Sequence, residues 1–439
     1  MSDFPSSRYR RGKIMAGAGF KVGTNYAKYH LQKRFGKHDD TSLSKLHEKN
    51  ARHIYGEFTK LRGSALKLAQ ALSLDNSVLP DEFVDVMSQA QYSVPPINKA
   101  LVRSIIKKEL GKYPEELFES FNGEAIAAAS IGQVHRATMK DGREVAVKIQ
   151  YPNVRETISS DLGLAKQLFS RIRKSDNLDS YFKEVKDKLL EETDYAIEGR
   201  SIDKYYKSYS HGNFVTPEWI QELSSTRVLT MTFLEGTHMK AFNESNPARE
   251  DRDRFGQLLW DFFHAQINSN HTVHADTHPG NFFYTPEKKL GIIDFGCVKE
   301  CPPDFFDAFI RLVPAHLEQD LEEITRLYKD LEMIRSNPTD PEYEKQFFEF
   351  CSSFGDLVVA PYRNSQFDFG DPGFEKKLRE LAKIAAEQPE PRGSKHFVYI
   401  ARVNLGLFHM LMKLKSNIRT ENATRHIYDY LGMASKTGN

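Results

Sequence analysis

Cysteine is scarce in this chain: Cys297, Cys301 and Cys351 are the only three among 439 residues. Three are too few for a disulfide scaffold, and an odd count fits a reducing interior better than an oxidising compartment. No second cysteine pair follows Cys297 and Cys301 to complete a zinc site, so both read as buried free thiols. Long hydrophobic runs are missing as well. With no apolar stretch of about 18 residues, no segment is expected to span a bilayer as a helix. Charge of one sign is missing too: 61 basic and 60 acidic side chains leave a formal net charge of +1. No global field then draws the molecule onto nucleic acid, and no nucleic-acid partner is expected. No internal repeat recurs at a period of about 20 to 50 residues, which excludes solenoids and propellers.

What is present describes a globular chain. Hydrophobic residues make up 40%, aromatics 12% and charged residues 28%, a balance far from that of disordered chains. The length exceeds what one hydrophobic core of up to about 300 residues fills, so two lobes and an extension are expected. Arg8, Arg10, Arg11, Lys13, Lys21, Lys28, Lys33 and Arg34 make the first 34 residues locally basic, which suits an anionic lipid surface. The expected location is cytoplasmic with peripheral membrane contact, and the same basic segment is compatible with organellar import.

From Leu43 to Met87 the pattern is helical, with Phe58, Leu61, Ala65, Leu68 and Leu72 forming one apolar stripe. Ser93-Val-Pro-Pro96 breaks it. A helix over Lys99 to Leu110 follows, then a hairpin of Gly132 to Met139 and Arg143 to Gln150, each alternating apolar and polar as a strand with one solvent face does, around Lys140-Asp141-Gly142. Tyr181 to Tyr206 is expected as one helical stretch. Val228 to Phe233 reads as a buried strand ending at a hinge, Leu234-Glu235-Gly236. Phe255 to Ile267 reads as an apolar helix, and Phe282 to Tyr284 with Leu290 to Ile293 as a second hairpin. The expected domains are a helical extension (1–96), a small β-containing lobe (97–235) and a mostly helical lobe (236–439).

The strongest chemical signal is His274-Ala-Asp276-Thr-His278-Pro-Gly-Asn281, followed by Asp294-Phe-Gly296. This is the layout of a kinase catalytic loop and its Asp-Phe-Gly turn with a hairpin between. Phosphoryl transfer needs hard oxygen ligands for Mg2+ bridging the phosphates, and Asn281 and Asp294 supply an amide and a carboxylate. Asp276, five positions before Asn281, is the candidate base that orients or deprotonates the attacking hydroxyl or water. His271, His274, Asp276 and His278 could alternatively chelate zinc, but that leaves Asn281 and Asp294 without a task.

Lys148 closes an apolar strand, and Ala127-Ala128-Ala129-Ser130-Ile131-Gly132-Gln-Val134 before it fills the frame of a glycine-rich phosphate loop with alanine at two glycine positions. Alanine admits fewer conformations, so this loop should close on phosphates less freely. Met231 and Leu234 at the hinge complete the expected nucleotide contacts. On a continuous helix, Asp194 and Glu198 would share one face and Glu192 would point away. The two glutamates cannot share a target; Glu198 is assigned to Lys148, as the helix glutamate of a kinase is, and Glu192 to another element. Lys67 and Gln70, three apart on the N-terminal helix, could face one partner.

Together these motifs resemble the UbiB/ADCK (AarF-type) family of atypical protein-kinase-like proteins, over roughly Leu43 to Lys413. The resemblance implies an α+β, bilobal protein-kinase-like fold with an N-terminal helical extension. It further implies that Lys67 to Gln70 is the K-x-G-Q motif folding over the active site, with catalytic roles for Lys67 and Gln70, although Ala69 stands at the motif's glycine. By the same likeness Ala127 to Gly132 is the alanine-rich loop, and Glu192 with Asp194 the E-x-D motif facing the extension. ATP or ADP with Mg2+ is the implied cofactor, ATPase or small-molecule or lipid kinase chemistry the activity, and isoprenoid quinone (ubiquinone) metabolism the setting. An anionic or quinone-related lipid and a biosynthetic protein complex are the implied partners. No Ala-Pro-Glu follows Asp294, so a peptide-binding activation segment is not expected. Two other functions fit parts of the pattern: a phosphotransferase of the aminoglycoside or choline kinase type, and a nucleotide-binding pseudokinase scaffold.

Overall fold

The computed structural model describes residues 13–14, 17, 20–29, 40–61, 82, 86, 96–129, 131–169, 178–269, 271–386, 388 and 392–433. Lys67, Gln70, Ser130 and most of the expected 43–87 stripe lie outside these residues. Within them the chain forms two compact units, 1–200 with 218–233, and 201–217 with 234–439. No helix among the described residues is long and apolar enough to cross a membrane.

In the first unit residues 20–29 are helical, and α1 (Asp40–Leu61) after them buries Ala51, Ile54 and Phe58. Next is α2 (Lys99–Leu110), begun by the Asn98 side chain accepting from the Leu101 amide at 2.8 Å and ended by Gly111 at φ 79°. A short α3 (Pro114–Leu117) leads to β1 (Ser120–Phe121), β2 (Ala127–Ala129), β3 (Gly132–Thr138) and β4 (Glu144–Gln150). The β3–β4 hairpin turns at Lys140-Asp141-Gly142, with Gly142 at φ 88°. After α4 (Val154–Phe169), α5 (Leu178–Glu192) and α6 (Tyr195–Tyr209), the chain places β5 (Phe214–Val215) in the second unit and returns with β6 (Val228–Thr232). Strands run β1-β3-β4-β6, all antiparallel, with β2 also on β3.

Two expectations need correction here. The helix expected over Tyr181 to Tyr206 is two helices, because Thr193 and Asp194 divert the backbone. The Asp194 carboxylate accepts from the Ala196 amide at 3.0 Å, the Tyr195 amide donates to the Thr226 carbonyl at 3.0 Å, and the Thr193 carbonyl accepts from Gln150 at 2.9 Å. Short polar side chains compete for backbone groups in this way and favour helix starts. Glu192 ends α5 and Asp194 precedes α6, so the single-helix angles between Glu192, Asp194 and Glu198 do not apply. Nor does β4 have a solvent face: every residue from Val145 to Gln150 is buried.

The second unit adds β7 (Thr237–His238), α7 (Met239–Glu244) and α8 (Arg249–Ala265), then β8 (Thr272–His274), β9 (Phe282–Tyr284), β10 (Leu290–Ile292) and β11 (Val298–Glu300). One small sheet runs β5-β10-β9-β7, and β8 pairs with β11. The remainder is α9 (Pro303–Glu318), α10 (Leu321–Asp330), α11 (Pro341–Val359), β12 (Gln366–Asp368), α12 (Pro372–Ala386), α13 (Lys395–Leu414), β13 (Asn417–Arg419) and α14 (Glu421–Tyr430). Helix α8 is the axis of this unit: Phe255, Leu258, Leu259, Trp260, Phe262, Phe263 and His264 are all buried, as expected of a helix apolar around most of its circumference.

His264 titrates with consequence. Burial pushes it down to about 4, against which its hydrogen bond to the Trp260 carbonyl is a smaller effect. Because the folded-state value is depressed, the unfolded chain binds the proton first and stability falls as pH drops from about 6.5 towards 4. That loss should reach about 3 kcal/mol. Urea midpoints at about pH 7 and about pH 4.5 should differ for the wild type and differ less for His264→Gln; equal differences would show that other groups carry the effect.

Candidate functional site

The first unit gathers one group of the sequence-derived residues. Register fixes it: Ala127 pairs with Val134, Val134 with Lys148 and Lys148 with Leu229, while Ala129 pairs with Gly132 and Ala146 with Met231. Directly opposed residues, and those two apart along a strand, share a face. Ala127, Ala129, Gly132, Val134, Lys148 and Met231 therefore line one face of the sheet. Ala127 and Ala128 are exposed and Ile131 is buried. Leu234, half-buried, stands two residues after β6 and belongs to the second unit.

Lys148 is only 8% exposed, an environment no lone ammonium tolerates. Its Nζ stands 2.8 Å and 2.9 Å from the two carboxylate oxygens of Glu198 on α6, and 5.1 Å from the centre of the Tyr195 ring. The turn at Thr193-Asp194 is what sets α6 at the register that brings Glu198 to the lysine.

Tyr195 escaped the sequence reading, yet with the Ile149 carbonyl it leaves room for nothing larger than glycine at position 132. A Cβ at Gly132 would stand 2.8 Å from Tyr195 Oη and closer still to the Ile149 carbonyl oxygen. Gly132→Ala should therefore cost about 1–3 kcal/mol through overpacking. A lowered urea midpoint would register this, and an unchanged one would show that the strand can give way.

The second unit holds the other group. The amide of Ala275 donates to the Cys297 carbonyl at 2.8 Å, extending the β8–β11 ladder to the threshold of the loop. Asp276 then accepts from the His278 amide at 3.0 Å, His278 Nδ1 accepts from the Gly280 amide at 3.0 Å, and the Asn281 side chain donates to the Asp276 carbonyl at 3.4 Å. The β9–β10 hairpin sets Asn281 across from Ile293, whose amide donates to the Asn281 carbonyl at 3.1 Å, so Asp294 follows directly. Asp294 in turn accepts from the Gly296 amide at 2.9 Å. Asn281 is buried, and Asp276 and Asp294 are half-buried.

The histidines do not form a metal cluster. His274 is fully buried, packed edge-on against Phe295 and Tyr205, with Nε2 2.6 Å from the Asp294 carbonyl oxygen. Among the described residues no three His, Cys, Asp or Glu side chains converge on a common metal position. Two further positioning residues carry no motif. Gln266 Oε1 accepts from the His274 amide at 2.7 Å and the Tyr205 hydroxyl at 2.8 Å. Gly406 on α13 lets that helix lie against the loop, since a Cβ there would stand 2.6 Å from Thr277 Cβ. Such contacts between distant segments leave no local sequence signal.

A strand lysine paired with a helix glutamate, and an Asp/Asn loop braced by its own histidines before an Asp-Phe-Gly turn, define an atypical kinase-like protein. The ABC1 atypical kinase-like domain matches residues 89–328, and the chain belongs to that family, the UbiB/ADCK group of the sequence resemblance. It is 30% identical to atypical kinase COQ8, mitochondrial, of Saccharomyces cerevisiae, over 98% of this chain and 86% of that protein. It is 28% identical to atypical kinase coq-8, mitochondrial, of Caenorhabditis elegans, over 88% of this chain but only 51% of that protein, about half its length. Among solved structures, the Rv3197–erythromycin complex from Mycobacterium tuberculosis superposes with a TM-score of 0.63 at 26% identity, covering 88% of this chain and 98% of that one.

Proposed function

We propose that the chain binds Mg2+ with ATP or ADP and uses it as an ATPase or as a kinase of a small molecule or lipid. The buried Lys148–Glu198 pair carries this reading. A buried ion pair is weak as a device for stability alone, whereas a lysine held rigidly on a sheet face by a helix glutamate is suited to a phosphate. Ala127, Ala129, Gly132 and Val134 on that face would cover the nucleotide, Met231 and Leu234 would meet its base, and Lys148 would take its phosphates. Ser130 completes the same loop in sequence.

The donor set in the loop fits magnesium: an amide oxygen of Asn281 and a carboxylate of Asp294, both hard oxygens, are fixed by one hairpin. When bound, Mg2+ would neutralise the developing phosphate charge. Asp276, with its Oδ1 engaged by the His278 amide, keeps a second oxygen for the proton of an attacking hydroxyl or water. Lys67 and Gln70, with Glu192 and Asp194, take from the family resemblance the role of restraining access to this chemistry.

The acceptor is proposed to be linked to isoprenoid quinone metabolism at a membrane surface, which the resemblance and the COQ8 relatives support. The test is turnover of ATP by the purified protein, with and without Mg2+, anionic vesicles and quinone-precursor mimics. Mg-dependent turnover raised by vesicles or mimics is expected. Nucleotide binding without turnover in any of these conditions would favour the pseudokinase scaffold, and transfer to a soluble aminoalcohol would favour the small-molecule phosphotransferase.

A further inference from the structure

The helical unit contains a cavity of about 130 Å³ that the nucleotide chemistry does not use. Helices α8, α9, α11 and α13 enclose it, with Phe263, Ile267, Phe306, Val359 and Ile400 among its buried walls. The polar groups in its lining are already occupied. His264 holds the Trp260 carbonyl and the Tyr362 hydroxyl at 2.7 Å each, and Tyr328 meets His316 and the Cys351 carbonyl at 2.8 Å each. Gln266 is engaged with His274 and Tyr205. Apart from the Asn404 amide and the sulfurs of Met333 and Cys351, the lining offers a guest hydrocarbon and aromatic surface. Phe309, Leu312, Val313, Phe354, Val358 and Leu405 in the wall are only half-buried, so a guest has a route in.

We propose that this cavity is a binding site for a compact apolar molecule the size of one aromatic ring, and that its occupancy orders the Asp276 loop. Size argues for the ligand class: an apolar protein cavity of about 150 Å³ stays dry and takes up benzene or xenon. The connection to the loop is direct. Gln266 and Val273 line the cavity, and Gln266 receives the backbone amide of His274, two residues before Asp276. Phe263 lines it as well and stands 5.7 Å from the Phe282 ring, beside Asn281. A guest that fixes these three side chains reduces the local opening of the strand they support. Any effect on catalysis rests on the function proposed above; the binding site does not.

The experiment uses the full chain without nucleotide and benzene as the probe. Saturating benzene should raise the melting temperature by about 2 °C or more, and should slow amide hydrogen exchange in the segment 272–282 severalfold. Ala401→Leu, which adds three carbons to a cavity wall on α13, should respond to neither measurement, with Val358→Leu on α11 as the second filling variant should the first fail to fold. No shift in the wild type, or an equal shift in wild type and filled variants, would overturn the site. A melting shift with unchanged exchange at 272–282 would overturn the link to the loop. Neither readout depends on turnover, so an inactive protein still decides both.

Discussion

Asp276→Asn should lower ATP turnover by about 10²- to 10⁴-fold, the usual contribution of a positioned base, while leaving nucleotide binding close to wild type. Asparagine retains the size of the side chain and an oxygen at Oδ1 to accept the His278 amide, so the turn that carries the loop survives. Only the second oxygen, and with it the capacity to take a proton, is lost. Turnover measured beside nucleotide-induced stabilisation separates the two effects. Equal turnover in the two proteins would remove Asp276 from the chemistry, and loss of both properties would make it a structural residue.

Lys148→Met should have two separable effects. Its partner Glu198 has a side chain only 6% exposed, and removing the ammonium leaves a carboxylate in a site built for an ion pair. Breaking such a pair costs about 3–5 kcal/mol, visible as a lower urea midpoint. Replacing both partners, as Lys148→Met with Glu198→Leu, should restore much of that stability, because the uncompensated charge is gone. Nucleotide affinity should behave differently. Loss of a charge-assisted bond to phosphate should weaken it by about 10- to 100-fold in the single and the double variant alike. A double variant that regains both stability and affinity would confine Lys148 to a structural role.

The contrast between those variants reflects what the sequence could disclose. Patterns that live within a few residues were legible. The hairpin at Lys140-Asp141-Gly142, the helix from Lys99 to Leu110 and the strands flanking Thr285 to Lys289 appear where alternation and turn residues set them. The atypical kinase family was legible for the same reason, since its motifs are short and fixed in spacing. Interactions between distant segments were not. The break before Tyr195 depends on Thr226 and Gln150 as much as on Asp194, and apolar periodicity carries through it undisturbed. Thr193-Asp194 was the available signal, a pair of residues suited to starting a helix.

Burial was the other blind spot. The pairing of Lys148 with Glu198 was assigned from the motifs, but the burial of that pair shows only once β3 and β6 flank β4 and the helix carrying Glu198 packs against it. Gly132 is crowded by the Ile149 carbonyl and Tyr195, Gln266 holds His274 and Gly406 meets Thr277, contacts made only in the folded chain. The Asp276 to Asn281 loop lies between these extremes. Its residue types were readable as chemistry, while the His278 ring nitrogen that accepts from Gly280 and the His274 ring nitrogen that meets the Asp294 carbonyl show only in the folded chain.

The central claim is that Asp294 holds magnesium against a nucleotide, and melting curves in ADP or ATP test it most directly. Asparagine at 294 keeps an oxygen for the Gly296 amide, so the turn persists and only the charge changes. The wild type should be stabilised by nucleotide far more with Mg2+ than without, and Asp294→Asn should lose this magnesium-dependent increment. A full increment in Asp294→Asn would contradict that claim.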